Sequence, residues 1–195
     1  MMKEVEITLR VKDTLEVCKN KLEKQGFKII RTSHIDDVYM TQNKALLTVN
    51  NIDGILKTCI LIRYLNVNGK EYRKITYKNK VYDGENIISE QKINVECTNL
   101  EKARELFEAI GFEEIIRVNY KVTVFSNGIK EFAFQEVENL GLLVEYESTK
   151  NMDKYTKGQI LNEKQNMINE IVITGIEIEN TCDVKKAYEL IKNTL

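Results

Sequence analysis

Two-residue alternation at the N-terminus limits what this chain can become. In Glu4-Val5-Glu6-Ile7-Thr8-Leu9-Arg10-Val11 one face carries Val5, Ile7, Leu9 and Val11, and the other carries Glu4, Glu6, Thr8 and Arg10. Successive strand side chains point to opposite faces, so the segment reads as a β-strand with one apolar side. A helix over about 14–25 follows, opened by Asp13 with Glu16 three residues on and closed by Gly26. Strands are then expected near 27–33, 37–41, 44–50, 57–66 and 71–79. Turns fall at Asn51-Ile52-Asp53-Gly54 and Asn66-Val67-Asn68-Gly69.

A second round starts with an alternating strand near 86–97, whose polar face holds Glu90, Lys92, Asn94 and Glu96. A helix at 99–110 is capped by Thr98 with Glu101 and stopped by Gly111; strands near 112–125, 129–137 and 142–148 follow. The two rounds match at an offset of 85 residues: Leu15 with Leu100, Glu16 with Glu101, Glu23 with Glu108, Gly26-Phe27 with Gly111-Phe112, and Ile30 with Ile115. The expected organisation is one domain over 1–195, built as two pseudo-repeat halves, about 1–85 and 86–150, plus a segment 151–195. That last segment reads as a helix around 153–169, a short strand at 171–178 and a helix from about 184 to 194. The fold class is α+β, with a strongly curved antiparallel sheet and helices packed outside.

Composition narrows the function classes. With 43% hydrophobic and 30% charged residues the chain has material for a core and is not disordered. The 29 basic and 30 acidic residues nearly cancel, which argues against a nucleic-acid partner. No apolar run reaches the roughly 18 residues of a membrane span, and MMKEVEITLR lacks a signal-peptide core, so a cytoplasmic protein is expected. Cys18, Cys59, Cys97 and Cys182 form no C-x-x-C pair and read as reduced thiols. The lone His34 reads as a surface or hydrogen-bonded residue, and no Gly-rich phosphate loop occurs.

Charged residues share strand faces. Glu4 with Glu6, and Glu145 with Glu147, form Glu-x-Glu pairs that place two carboxylates about 7 Å apart on one side. Carboxylate oxygens are the ligands Mg²⁺ and Mn²⁺ prefer. Lys74 and Lys78 share a face, as do Arg117, Asn119 and Lys121, and Arg63 sits inside the apolar run Cys59–Tyr64. Such a sheet has the composition of a metal–polyphosphate site, in which ions bridge carboxylates to phosphate and Arg and Lys neutralise the rest. Cross-strand salt bridging on an exposed face accounts for the same pattern.

The order of these residues resembles the CYTH family, which includes class IV adenylyl cyclases and thiamine or inorganic triphosphatases. The likeness runs through the opening Glu-x-Glu, Asp37-Val38-Tyr39, Arg63, Thr76-Tyr77-Lys78, Glu90, and Val137-Glu138-Asn139-Leu140-Gly141 followed by Glu145-Tyr146-Glu147. Lys186-Ala187-Tyr188-Glu189-Leu190-Ile191 looks like the closing helix of the cyclase branch. The resemblance implies a closed or nearly closed antiparallel barrel, a triphosphate tunnel. It implies that Glu4, Glu6, Glu90, Glu145 and Glu147 serve Mg²⁺ or Mn²⁺. Arg63, Lys74, Lys78, Arg117 and Lys121 would hold the phosphates of a nucleoside triphosphate or other polyphosphate, and a homodimer is a further expectation. Thr8, Leu61, Ile88 and Gln135 depart from it, standing where the family carries three cations and an acid. The implied function is metal-dependent triphosphate processing, either cyclisation of ATP to cyclic AMP with release of pyrophosphate or hydrolysis. The alternative is a module that binds a nucleotide, polyphosphate or other anion without turnover.

Overall fold

The computed structural model describes residues 5–83, 86–179 and 183–195. The first alternating segment forms β1 (Glu6–Arg10) and leads to α1 (Leu15–Glu23). Thr14, rather than Asp13, caps α1 by accepting from the Val17 N–H; Asp13 instead takes the Lys21 ammonium at 2.7 Å and the Glu177 N–H at 3.0 Å. Gly26 follows at φ 82°, the left-handed turn that an L side chain resists.

The strands expected at 27–33 and 37–41 are one long β2 (Lys28–Thr41), continued through β-bulges. The strand expected at 44–50 is absent. Two 3₁₀ turns, Lys44–Leu46 and Val49–Asn51, run into α2 (Ile52–Leu56) instead. Ile52, Ile55 and Leu56 have the i, i+3, i+4 spacing of one helix face, and all three are buried. Next come β3 (Thr58–Val67), β4 (Lys70–Asp83) and β5 (Asn86–Glu96). Asn99, not Thr98, caps α3 (Leu100–Ala109), and β6 (Glu113–Ser126), β7 (Glu131–Val137) and β8 (Gly141–Glu147) complete the sheet.

Thr156 and Gln159 form a capping box at the start of α4 (Lys157–Ile173), which absorbs the start of the strand expected at 171–178. Only an isolated bridge, Val11 to Ile178, remains of that strand. The chain ends in α5 (Lys186–Lys192).

All strand pairings are antiparallel, in the order β1-β8-β7-β6-β2-β3-β4-β5. Exchanging β1–β4 with β5–β8 leaves that order unchanged, and β2 pairs with β6 at its centre. The sheet curls into a half-barrel. Among the described residues β1 and β5 share no backbone ladder. Their gap is spanned by the Lys92–Glu6 contact at 3.4 Å and by packing of Val5, Ile88, Met152 and Ile160. The C-terminal segment lies along the outer edge of β1: Glu179 N–H donates to Arg10 O at 2.9 Å and Val184 N–H to Thr8 O at 2.7 Å.

Both sheet faces are covered. On the convex side α1 and α4 bury Ile7, Leu9, Phe125, Phe132, Phe134 and Val144 with Leu22, Met167 and Ile171. α2 and α5 lie inside the curl, where Ile52, Leu56, Ala187, Leu190 and Ile191 pack against Tyr39, Leu61, Val118, Tyr120 and Leu143. The outer helices α1 and α4 are as expected, and α2 and α5 add an inner layer. The concave face offers apolar side chains at one end, and α5 fills that end.

Candidate functional site

The other end of the concave face encloses a cavity of about 450 Å³. Alternation decides its lining. Thr8 of β1, Ser33, Ile35 and Tyr39 of β2, Leu65 and Val67 of β3, and Gln135 of β7 all point inward. Nine cationic side chains line it: Arg31, Arg63, Lys74, Lys78, Lys80 and Lys92 from the sheet, Lys164 from α4, Lys185 just before α5 and Lys186 at its start. Against them stand four acids, Glu6, Glu90, Glu145 and Asp183. A chain of net charge −1 has therefore sorted its cations into one concavity.

Several cations are already neutralised. Asp37, on the inward face of β2 but 1% exposed, accepts from Arg63 Nε at 2.5 Å, from Arg63 Nη2 at 2.6 Å and from the Tyr120 hydroxyl at 3.2 Å. Two of the five guanidinium N–H donors are spent this way, and the rest stay with the cavity. Asp53 takes Lys185 at 2.6 Å, and Lys164 bonds to Asp183. The remaining excess gathers around Glu90, whose Oε1 lies 3.1 Å from Lys78 and 3.3 Å from Lys92 and whose Oε2 lies 4.0 Å from Lys80.

Burial alone would raise the Glu6 carboxyl, but Lys92, then Lys78 and Lys186, outweigh it and hold the group at about 2. Glu90 is lowered in the same way, burial being overcome by Lys78 and Lys92. Burial, reinforced by Lys78, pulls Lys80 below the ordinary lysine value despite Glu90. Depressed carboxyls contribute stability that is fully present above the unfolded value and is lost as pH falls through the folded one. Urea midpoints should therefore drop as pH is lowered from about 4.5 towards 2. Glu6→Gln should flatten that slope by on the order of 2 to 3 kcal/mol. An unchanged acid profile in Glu6→Gln would show that the lysines do not act on this carboxylate.

The residues singled out by sequence fall in three places. Glu6, Glu90, Glu145, Arg63, Lys74 and Lys78 line the cavity together. Glu147 pairs in register with Glu6 at the end of β8 but is exposed and lies outside the lining; Glu4 lies outside the described residues. Arg117 and Lys121 are on the convex side. Arg117 donates through Nε to Asp36 at 2.7 Å, and Lys121 edges a shallow outer groove. On β6 it is the apolar face, Val118, Tyr120, Val122 and Val124, that turns inward, because α5 covers part of it. His34 is also on that outer side, with Nε2 2.9 Å from Asn119 Oδ1.

Sequence reasoning missed six of the lining cations as site residues: Arg31, Lys80 and Lys92 on the sheet, and Lys164, Lys185 and Lys186. Lys80 has the parity of Lys74 and Lys78, which was a usable signal. Lys164, Lys185 and Lys186 come from beyond the sheet, where alternation has nothing to say.

The described residues do not fit a divalent metal. No group of three or more His, Cys, Asp or Glu side chains among them is placed to hold an ion. Lys92 Nζ sits 3.4 Å from Glu6 Oε2 and 3.3 Å from Glu90 Oε1, between the two carboxylates an ion would use. Lys186 lies 3.5 Å from Glu145 and also bonds to Gln135 Oε1, while Gln135 Nε2 donates to Glu145 at 2.9 Å.

Comparison with known proteins bears on this architecture. A provisionally named adenylate cyclase of Methanocaldococcus jannaschii is 26% identical over 190 residues, covering 96% of this chain and 97% of its own. A Pyrococcus horikoshii protein superposes with a TM-score of 0.74 at 20% identity, over 97% of this chain and 99% of its own. A provisionally named adenylyl cyclase from Hippeastrum, described as having a dominant triphosphatase activity, superposes at 0.59 with 12% identity, over 98% and 96%. The fold is that of the CYTH family. No family model matches the sequence. The superpositions run over nearly the whole chain, so the likeness covers the curled sheet together with its helices. Among the described residues no helix is long and apolar enough to cross a membrane.

Proposed function

We propose that this chain takes the triphosphate end of a nucleotide, or an inorganic polyphosphate, into the cavity and processes it. The sorting of cations into a cavity of about 450 Å³ carries the reading, since that volume suits a small, densely charged anion. Lys78, Lys80, Lys92 and Lys74 present ammonium groups from adjacent strands, and Arg63 adds guanidinium donors held in place by Asp37. Charge-assisted hydrogen bonds of this kind grip phosphate oxygens and stabilise the charge that spreads over them during phosphoryl transfer. The M. jannaschii relative named as a cyclase and the Hippeastrum protein described as a triphosphatase support the same substrate class.

The second reading, binding without turnover, is favoured by Gln135 and by the lysines already balancing Glu6, Glu90 and Glu145. Pure protein incubated with ATP, thiamine triphosphate and tripolyphosphate, with and without Mg²⁺ or Mn²⁺, separates the two by chromatography of products. Processing predicts pyrophosphate, phosphate or a cyclic nucleotide from at least one substrate. No product from any, with calorimetric binding of tripolyphosphate intact, leaves the binding module. Absence of binding in every case overturns both.

A further inference from the structure

We infer that the cavity binds a triphosphate without a divalent metal, the ammonium groups of Lys92 and Lys186 standing where the CYTH resemblance calls for metal ions. The inference rests on the triphosphate reading above and concerns what completes that site. A divalent ion needs a surplus of negative charge from hard oxygen ligands. Around the β1–β5 gap the surplus has the other sign, with Glu6 and Glu90 facing Lys78, Lys80 and Lys92. At the second position Glu145 faces Lys186, and the neutral amide of Gln135 fills the neighbouring place. An ion entering either position would have to displace an ammonium from its carboxylate and then sit beside it.

The lysines are placed to serve an anion in the ion's stead. Lys92 reaches across the gap in the sheet from β5 to β1, as a bridging cation would, while Lys186 enters from the first turn of α5 with its Nζ 4.8 Å from the centre of the Tyr120 ring. Glu90 Oε1 is buried and accepts no hydrogen bond of good geometry, so charge rather than directional bonding holds Lys78 and Lys92 beside it. Lys92 gives one long hydrogen bond to Glu6 and Lys186 one to Gln135, and an ammonium has three donors, so each keeps N–H bonds to turn to phosphate oxygens. Free tripolyphosphate carries more negative charge than its magnesium complex, so a cavity lined by nine cations against four acids prefers the uncomplexed form.

The test is calorimetric titration of the intact protein with tripolyphosphate in EDTA and again in excess Mg²⁺, alongside a titration with Mn²⁺ alone. Binding in EDTA at least as tight as in Mg²⁺, with no Mn²⁺ uptake below the millimolar range, is expected. Lys92→Gln should weaken binding in EDTA at least tenfold. It should also make Mn²⁺ recover most of the loss, because Glu6 and Glu90 are then left with negative charge to spare. A structural defect would not create that metal response. Lys186→Gln gives the same readout at Glu145 should Lys92→Gln fold poorly. Binding that needs Mg²⁺ or Mn²⁺ in the wild type, or tight Mn²⁺ uptake by the protein alone, overturns the inference while leaving the triphosphate reading intact. No tripolyphosphate binding under either condition overturns both.

Discussion

Asp37→Ala should destabilise this protein by about 3–5 kcal/mol, the usual consequence of leaving one member of a buried ion pair uncompensated. Asp37 is 1% exposed and receives three hydrogen bonds, two from Arg63 and one from Tyr120. Without it the guanidinium, held well above the ordinary arginine value by Asp37 against the opposing effect of burial, keeps its charge with no counter-ion. For a chain of this size each kcal/mol moves the melting midpoint by about 2–4 °C, so a fall of roughly 6–20 °C is expected by calorimetry. Replacing both partners, Asp37→Leu with Arg63→Met, should recover much of the loss because no charge is then stranded. The same double variant should bind tripolyphosphate more weakly, since Arg63 faces the cavity. A loss under about 1 kcal/mol in Asp37→Ala would mean that Arg63 finds another partner.

Glu90→Gln is expected to be nearly as costly and to show a different signature. The buried carboxylate is the common counter-charge of Lys78, Lys80 and Lys92, and an amide leaves three ammonium groups facing one another. A loss of about 3 kcal/mol follows from breaking one buried charge cluster. Saturating tripolyphosphate should return most of it, because a ligand at a hundred times its dissociation constant adds about 2.7 kcal/mol. The pH response should also tilt. Lys80 is already held below its unfolded value, and losing Glu90 removes a charge that raised it. The unfolded state then binds more protons across that window, so the variant gains stability as pH rises through it. Thermal shifts measured between pH 7 and 10, with and without tripolyphosphate, check both points; loss without rescue would show ordinary packing damage.

Much of the architecture was legible from alternation. Period two tells which residues share a face, and it grouped Glu6 with Thr8, Glu90 with Lys92, and Lys74 with Lys78 as the structure does. Period two does not tell which face is concave. In most sheets the polar face meets solvent and the question does not arise. Here both sides of the sheet are packed, so on β6 the polar residues Arg117 and Lys121 went outside and the apolar ones inside. The segment 44–56 misled for a related reason. Its apolar residues fit a strand over 44–50, but burial beneath α5 favours the helical spacing of Ile52, Ile55 and Leu56.

The departures from the family pattern look different once the cavity is assembled. Leu61 stands where a cation is expected because that end of the curl is filled by α2 and α5. Thr8 lines a region that Lys164, Lys185 and Lys186 reach from the C-terminal part of the chain. Ile88 packs with Val5, Met152 and Ile160 across the gap, and Lys92 supplies charge two pleats further along β5.

The sequence by itself determined the alternation of the strands, the class of fold they build, the glycines that end α1 and α3, and the presence of a Glu-x-Glu pair on β8. These are local properties, set by side-chain direction along a strand and by the few backbone conformations a turn allows. Only the tertiary structure decided which face curls inward, that the gap between β1 and β5 is crossed by side chains, and that lysines from α4 and α5 complete the cavity. Those outcomes depend on contacts between residues more than sixty positions apart, such as Lys186 with Tyr120 on β6 or Val184 with Thr8, and no periodicity records them.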